Sequence, residues 1–106
     1  MIQAIVKKKN EQIIGFHIEG HSGYEDRGKD IVCAAVSALT INCINSIDAF
    51  TEDKCLVEND EERGMIDLLV HNDISEPAEL LLKSLVLGLE EISKSYGNQY
   101  LSVINC

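Results

Sequence analysis

Residues 14–40, IGFHIEGHSGYEDRGKDIVCAAVSALT, decide how the chain is read, because a strand, a polar loop and a helix follow one another there without a break. Ile14, Phe16 and Ile18 alternate with small or polar neighbours, the period of a half-buried strand that ends near Gly20. Gly20 and Gly23 bracket His21, and glycine accepts backbone angles that a Cβ resists, so a sharp turn is expected just past the strand end. The loop through Asp26, Arg27 and Gly28 is polar. It ends at Asp30, a good N-cap whose carboxylate can accept from first-turn amides of the apolar helical run that follows. Cys33 therefore falls in the first turn of a helix.

That position matters chemically. The reactive form of cysteine is the thiolate, and the amides and dipole at a helix start favour an anion. A neighbouring His21 as imidazolium would stabilise the thiolate and later give its proton to a leaving amine, the two roles of a Cys/His pair in acyl transfer. Asp30 has two readings: it caps the helix, or it turns toward His21 and orients the ring as the third member of a triad. Ser37 lies four residues beyond Cys33, on the same helical face and within reach of the thiol or a substrate. Free amides at the helix start are candidates for an oxyanion hole.

Working outward, Ile2, Ala4 and Val6 make a first strand, joined by a hairpin to the strand that contains Phe16, with Lys7, Lys8 and Lys9 at a solvated tip. The helix runs from about Ile31 to about Phe50 with Val32, Val36, Leu39, Cys43, Ile47 and Phe50 as its packing stripe, and its Ala-rich first half is expected to be buried on more than one side. Cys55 and Val57, the acidic turn from Asn59 to Gly64, then Ile66, Leu68 and Val70 read as a second hairpin. A second helix starts at Ser75 or Glu76 with Pro77 in its first turn. Its core stripe is Ala78, Leu81, Leu82, Leu85, Leu89, Ile92 and Tyr96, and Gly97 closes it. Tyr100 to Ile104 supplies a last strand. The order β-β-α-β-β-α-β predicts an α+β two-layer sandwich, a mostly antiparallel sheet with both helices on one face, formed by one domain over residues 1–106. The uncovered sheet face is expected to be partly apolar.

The formal net charge of −9 argues against nucleic acid as the main partner, since neutralising phosphates needs clustered Lys and Arg; a basic protein suits the chain better. Its first residues lack a signal peptide's layout, and its apolar stretches are interrupted by polar residues, so no membrane span is expected and the cytoplasm is the expected compartment. Cys33, Cys43, Cys55 and Cys106 show no CxxC pair and no zinc spacing, and read as free thiols with no metal and no cofactor. A thiol redox sensor would need a resolving cysteine near Cys33, and Cys43 stands about 15 Å further along the helix.

Gly20-His21-Ser22, a short polar loop, then Asp30-Ile31-Val32-Cys33-Ala34-Ala35-Val36-Ser37-Ala38-Leu39 resembles the signature of the ribosomal-processing cysteine protease family, Prp. The resemblance implies a homodimeric cysteine endopeptidase that removes the short N-terminal extension of large-ribosomal-subunit protein number twenty-seven, a basic protein, cutting after a phenylalanine. It matches the nucleophile to Cys33 and the histidine to His21, with Asp30 and Ser37 in supporting positions; Gly20 and Gly23 shape the turn. The loop from Gly23 to Lys29 is expected to close over substrate. The rival reading is a non-enzymatic, acidic, dimeric interaction module that binds a basic ribosomal or assembly partner, with Cys33 as packing.

Overall fold

The structure, a computed structural model, describes residues 1–26 and 30–105. Alternating burial along β1 (Ile2–Lys9) puts Ile2, Ala4 and Val6 inside, and a two-residue turn leads into β2 (Gln12–Glu19). Both turn residues, Asn10 and Glu11, have positive φ (52° and 66°), the geometry whose twist matches a two-residue hairpin. On β2 Phe16 and Ile18 face inward as the alternation requires, but Ile13 replaces Ile14 in the interior. The register shifts between Lys7 and Lys8, which pair with Gly15 and Ile13, so Ile14 is the extra residue of a β-bulge and the inward face changes there.

Helix α1 (Ile31–Phe50) is followed by β3 (Cys55–Asp60) and β4 (Met65–Val70), then by α2 (Glu76–Tyr96) and β5 (Leu101–Asn105). The sheet order is β3-β4-β2-β1-β5; all neighbours are antiparallel except β1 and β5, which are parallel. One face of this sheet carries both helices, and the expected α+β sandwich is what the chain forms. Val32, Val36, Cys43 and Ile47 of α1 and Ala78, Leu82, Leu85 and Leu89 of α2 close over Ala4, Val6, Phe16, Ile18 and Leu68. Ser75 caps α2 through its hydroxyl, Pro77 sits in the first turn, and Gly97 ends the helix at φ 115°.

Three expectations for α1 need correction. Phe50 is 78% exposed at the helix end, and Thr40 takes the place in the core stripe, its hydroxyl satisfied by donating to the Val36 carbonyl at 2.7 Å. The Ala-rich first half is not buried on several sides: Ile31, Ala34 and Ala38 are exposed. By length and composition α1 is also apolar enough to cross a bilayer, contrary to the sequence reading, yet here its inner face forms a layer of the core.

The uncovered face of the sheet is a chain of alternating charges. Lys7 Nζ donates to Asp67 (2.8 Å), His17 bridges Asp67 and Glu19 through Nδ1 (2.7 Å) and Nε2 (2.9 Å), and Arg63 Nη2 reaches Glu19 (2.8 Å). Hydrogen bonds to Glu19 and then to Asp67 raise the His17 pKa against the opposing effect of burial. Apolar residues flank the network, Leu56 and Ile104 among them.

Candidate active site

The site lies where β2 ends and α1 begins. Asp30 is 8% exposed and both carboxylate oxygens are engaged: Oδ1 accepts from the Val32 and Cys33 amides, each at 3.0 Å, and Oδ2 accepts the Ser22 hydroxyl. Burial pushes the Asp30 carboxyl up, but the bonds from Ser22 and Cys33 outweigh it and hold its pKa below the ordinary value. Of the two sequence readings, the structure places Asp30 as the helix cap. Among the described residues no hydrogen bond joins it to His21.

This capping removes an expected function from the helix start. The amides of Val32 and Cys33 are taken by the Asp30 side chain, and that of Ala34 by the Asp30 carbonyl at 3.0 Å. They are not free to form an oxyanion hole. A different amide serves the sulfur: Ser22 N–H points at Cys33 Sγ from 3.3 Å. Ser22 is buried, and its hydroxyl also accepts from the Tyr24 amide at 3.1 Å, so one serine ties thiol, cap and loop together. The Tyr24 ring in turn packs edge-on against Tyr96 and Tyr100, with centroids 5.4 and 5.0 Å away. The first part of the loop is thereby fixed to the corner between α2 and β5. Arg27, Gly28 and Lys29, on which the expected loop closure largely falls, lie outside the described residues.

His21 is exposed just beyond β2, with left-handed glycines on either side of it, Gly20 (φ 111°) and Gly23 (φ 73°). Its Nε2 stands 3.4 Å from the Glu62 carbonyl in the turn between β3 and β4. His21 and Cys33 are not hydrogen-bonded to each other in this state, but they share the walls of two depressions. The first, of about 370 Å³, lies between α1 and the β3–β4 turn; Ile18, Val36, Ile41, Met65 and Ile66 line its apolar side, and Asn59, Asp60 and Glu61 its polar side. The second opens toward the loop and is lined by Gly23, Glu25, Asp30 and Ala34. His21, Cys33 and Ser37 border both, so these three groups stand on the ridge between them. An extended peptide laid across that ridge would have one side chain in each depression and its backbone over the sulfur.

Sequence reasoning missed Ser22, whose amide reaches the thiol, and the β3–β4 turn, which meets the histidine. A Gly-His-Ser string hinted at the first. The second works through a main-chain carbonyl, which has no sequence signature.

A model of the family described as cysteine protease Prp matches residues 1–101. Among curated proteins, the ribosomal processing cysteine protease Prp of Bacillus subtilis is 26% identical over 101 residues, covering 91% of this chain and 90% of that protein. Its namesake from Staphylococcus aureus is 27% identical over 79 residues, 74% of each chain. The crystal structure of the S. aureus ribosomal processing protease Prp with a covalently linked product peptide superposes with a TM-score of 0.94 over the full length of both chains, at 23% identity.

Proposed function

The chain belongs to the cysteine protease Prp family, and from that premise we propose that it removes the N-terminal extension of large-ribosomal-subunit protein number twenty-seven, using Cys33 as nucleophile and His21 as general acid and base. The observation that carries this reading is the shared ridge of His21, Cys33 and Ser37 between two depressions, with the Ser22 amide directed at the sulfur. The Cys33 thiol gives its proton to His21, and the thiolate, steadied by Ser22 N–H and the helix start, attacks the scissile carbonyl carbon. The tetrahedral intermediate collapses as the imidazolium protonates the departing amine. A water molecule then loses its proton to His21 and attacks the thioester, releasing the carboxylate and restoring the thiol. Ser37 borders the same ridge and contacts the bound backbone.

The apolar depression takes the side chain preceding the cut, and an aromatic ring suits walls built from Ile18, Val36, Met65 and Ile66. The net charge of −9 favours encounter with a basic ribosomal protein, and such a substrate sets the work in the cytoplasm. Two copies pair through the uncovered sheet face, where Leu56 and Ile104 stand beside self-complementary charges.

The test is mass spectrometry of the unprocessed ribosomal protein after incubation with the chain, beside Cys33→Ala and His21→Ala. One N-terminal cut, lost in both variants, is the expected result. Uncut substrate with the unsubstituted chain, or cleavage that survives Cys33→Ala, overturns the reading.

A further inference from the structure

Resting on the Cys33/His21 reading, we infer that the β3–β4 turn is the positioning element for the catalytic histidine: the Glu62 carbonyl fixes which ring nitrogen carries the proton, and Gly64 leaves room for the ring. A carbonyl oxygen only accepts, so the nitrogen facing it at 3.4 Å, Nε2, carries a hydrogen. In the neutral ring the bare nitrogen is then Nδ1. The proton that leaves the Cys33 sulfur goes to Nδ1, giving an imidazolium whose Nε2–H stays on Glu62 and whose Nδ1–H later passes to the leaving amine. The role that a carboxylate or amide side chain has in other triads falls here to a main-chain carbonyl.

The turn is built to hold that carbonyl still. Asp60 Oδ1 accepts from the amides of Glu62 (3.1 Å) and Arg63 (3.3 Å), and Gly64 N–H donates to the Glu61 carbonyl at 3.2 Å. Three further bonds tie it to the residues just before the histidine: Gly20 N–H donates to the Arg63 carbonyl at 3.2 Å, and the Arg63 guanidinium reaches both oxygens of Glu19 at 2.8 and 3.2 Å. Glu19 and Gly20 are thus both bonded to Arg63, and His21 to its neighbour Glu62.

Gly64 is the point where ring and turn touch. Its φ is +61°, and a Cβ placed there would lie 2.7 Å from the Gly20 carbonyl oxygen and 3.1 Å from His21 Cε1. Cε1 is the carbon between the two ring nitrogens, so anything larger than glycine pushes the edge of the ring that the mechanism uses.

Two measurements test this. In Cys33→Ala, labelled with ¹⁵N-histidine and held above the imidazole titration, long-range ¹H–¹⁵N correlation reports the tautomer of each ring. Exposed His71, with no ring partner among the described residues, is the internal reference for an unconstrained side chain, which itself favours Nε2–H. His21 is expected to exceed His71 in the Nε2–H form; an equal or lower fraction overturns the inference. In the active chain, Gly64→Ala is expected to lower kcat by about a hundredfold with KM little changed, as a displaced catalytic group does. Asn72→Ala puts a residue that resists positive φ at 65°, just past the end of β4 opposite the β3–β4 turn, and is expected to leave kcat intact. Unchanged kcat in Gly64→Ala overturns the positioning role. If that variant does not fold, the tautomer decides alone. Cleavage by His21→Ala would instead remove the Cys/His reading itself, a result separate from either tautomer outcome.

Discussion

Replacing Asp30 separates a helix cap from a triad member, because the two roles predict opposite effects of alanine and asparagine. The carboxylate accepts the Val32 and Cys33 amides at 3.0 Å and the buried Ser22 hydroxyl. Asp30→Ala removes the cap, worth about 1 kcal/mol, and a buried hydrogen bond to a charged group, worth about 2 kcal/mol. With about 2.1 cal/mol/K of unfolding entropy per residue over 106 residues, a loss of about 3 kcal/mol lowers Tm by about 13 °C. Asp30→Asn keeps the cap acceptor and weakens only the bond to Ser22, at about 1 kcal/mol or about 4 °C. Because Asn keeps Ser22 near the sulfur, its kcat is expected to stay within about tenfold of the parent. Thermal melts with circular dichroism and a peptide-cleavage assay on the same preparations check both numbers. An Asp30→Asn that melts like the parent yet loses about 10⁴-fold in kcat, the mark of a lost orienting carboxylate, would refute the capping assignment. Since the folded pKa is depressed, the carboxylate's contribution to stability is complete above about pH 4, the ordinary aspartate value, and is lost as pH falls through the folded value.

Gly15→Ala would put a Cβ 2.1 Å from the Leu68 carbonyl oxygen, main chain against main chain, so a loss above about 3 kcal/mol is expected in urea unfolding; a parent-like midpoint contradicts the packing. The raised pKa of His17 gives a contribution that is complete below about pH 6.5 and is lost as pH rises through the folded value. Urea midpoints should fall across that window in the parent and stay flatter in His17→Gln. Burial, with nearby Cys55 as the smaller cause, pushes the Cys43 thiol up to about 11, so peptide mass spectrometry should find Cys43 unalkylated after iodoacetamide treatment of the folded chain at neutral pH. Rapid labelling there would mean that α1 does not pack as described.

Much of the fold was legible because its signals are local. Alternation marked the strands, Ser75, Pro77 and Gly97 marked the ends of α2, and the element order limited the layers to one helical face. The errors came where long-range geometry decides. The bulge that exchanges Ile13 for Ile14 depends on the partner strand, and the exposure of Phe50, Ala34 and Ala38 depends on where α1 lies relative to α2 and the sheet edge. At the site, His21 and Cys33 could be paired from their places at a strand end and a helix start. The choice between cap and orienter for Asp30 turned on where Ser22 lies, and the contact with the β3–β4 turn joins residues more than forty positions apart through a carbonyl.

Strand β3 closes one side of the sheet with its outer backbone groups unpaired among the described residues, and beside them Leu56 and Val57 are 60% and 46% exposed. Such an edge invites a second molecule to add as another strand. Glu58 and Asp60 lie along it, and Glu61 and Glu62 follow at once, so two copies approaching edge to edge would bring like charges together. Part of the chain's negative charge thus works as protection against aggregation, independent of any substrate.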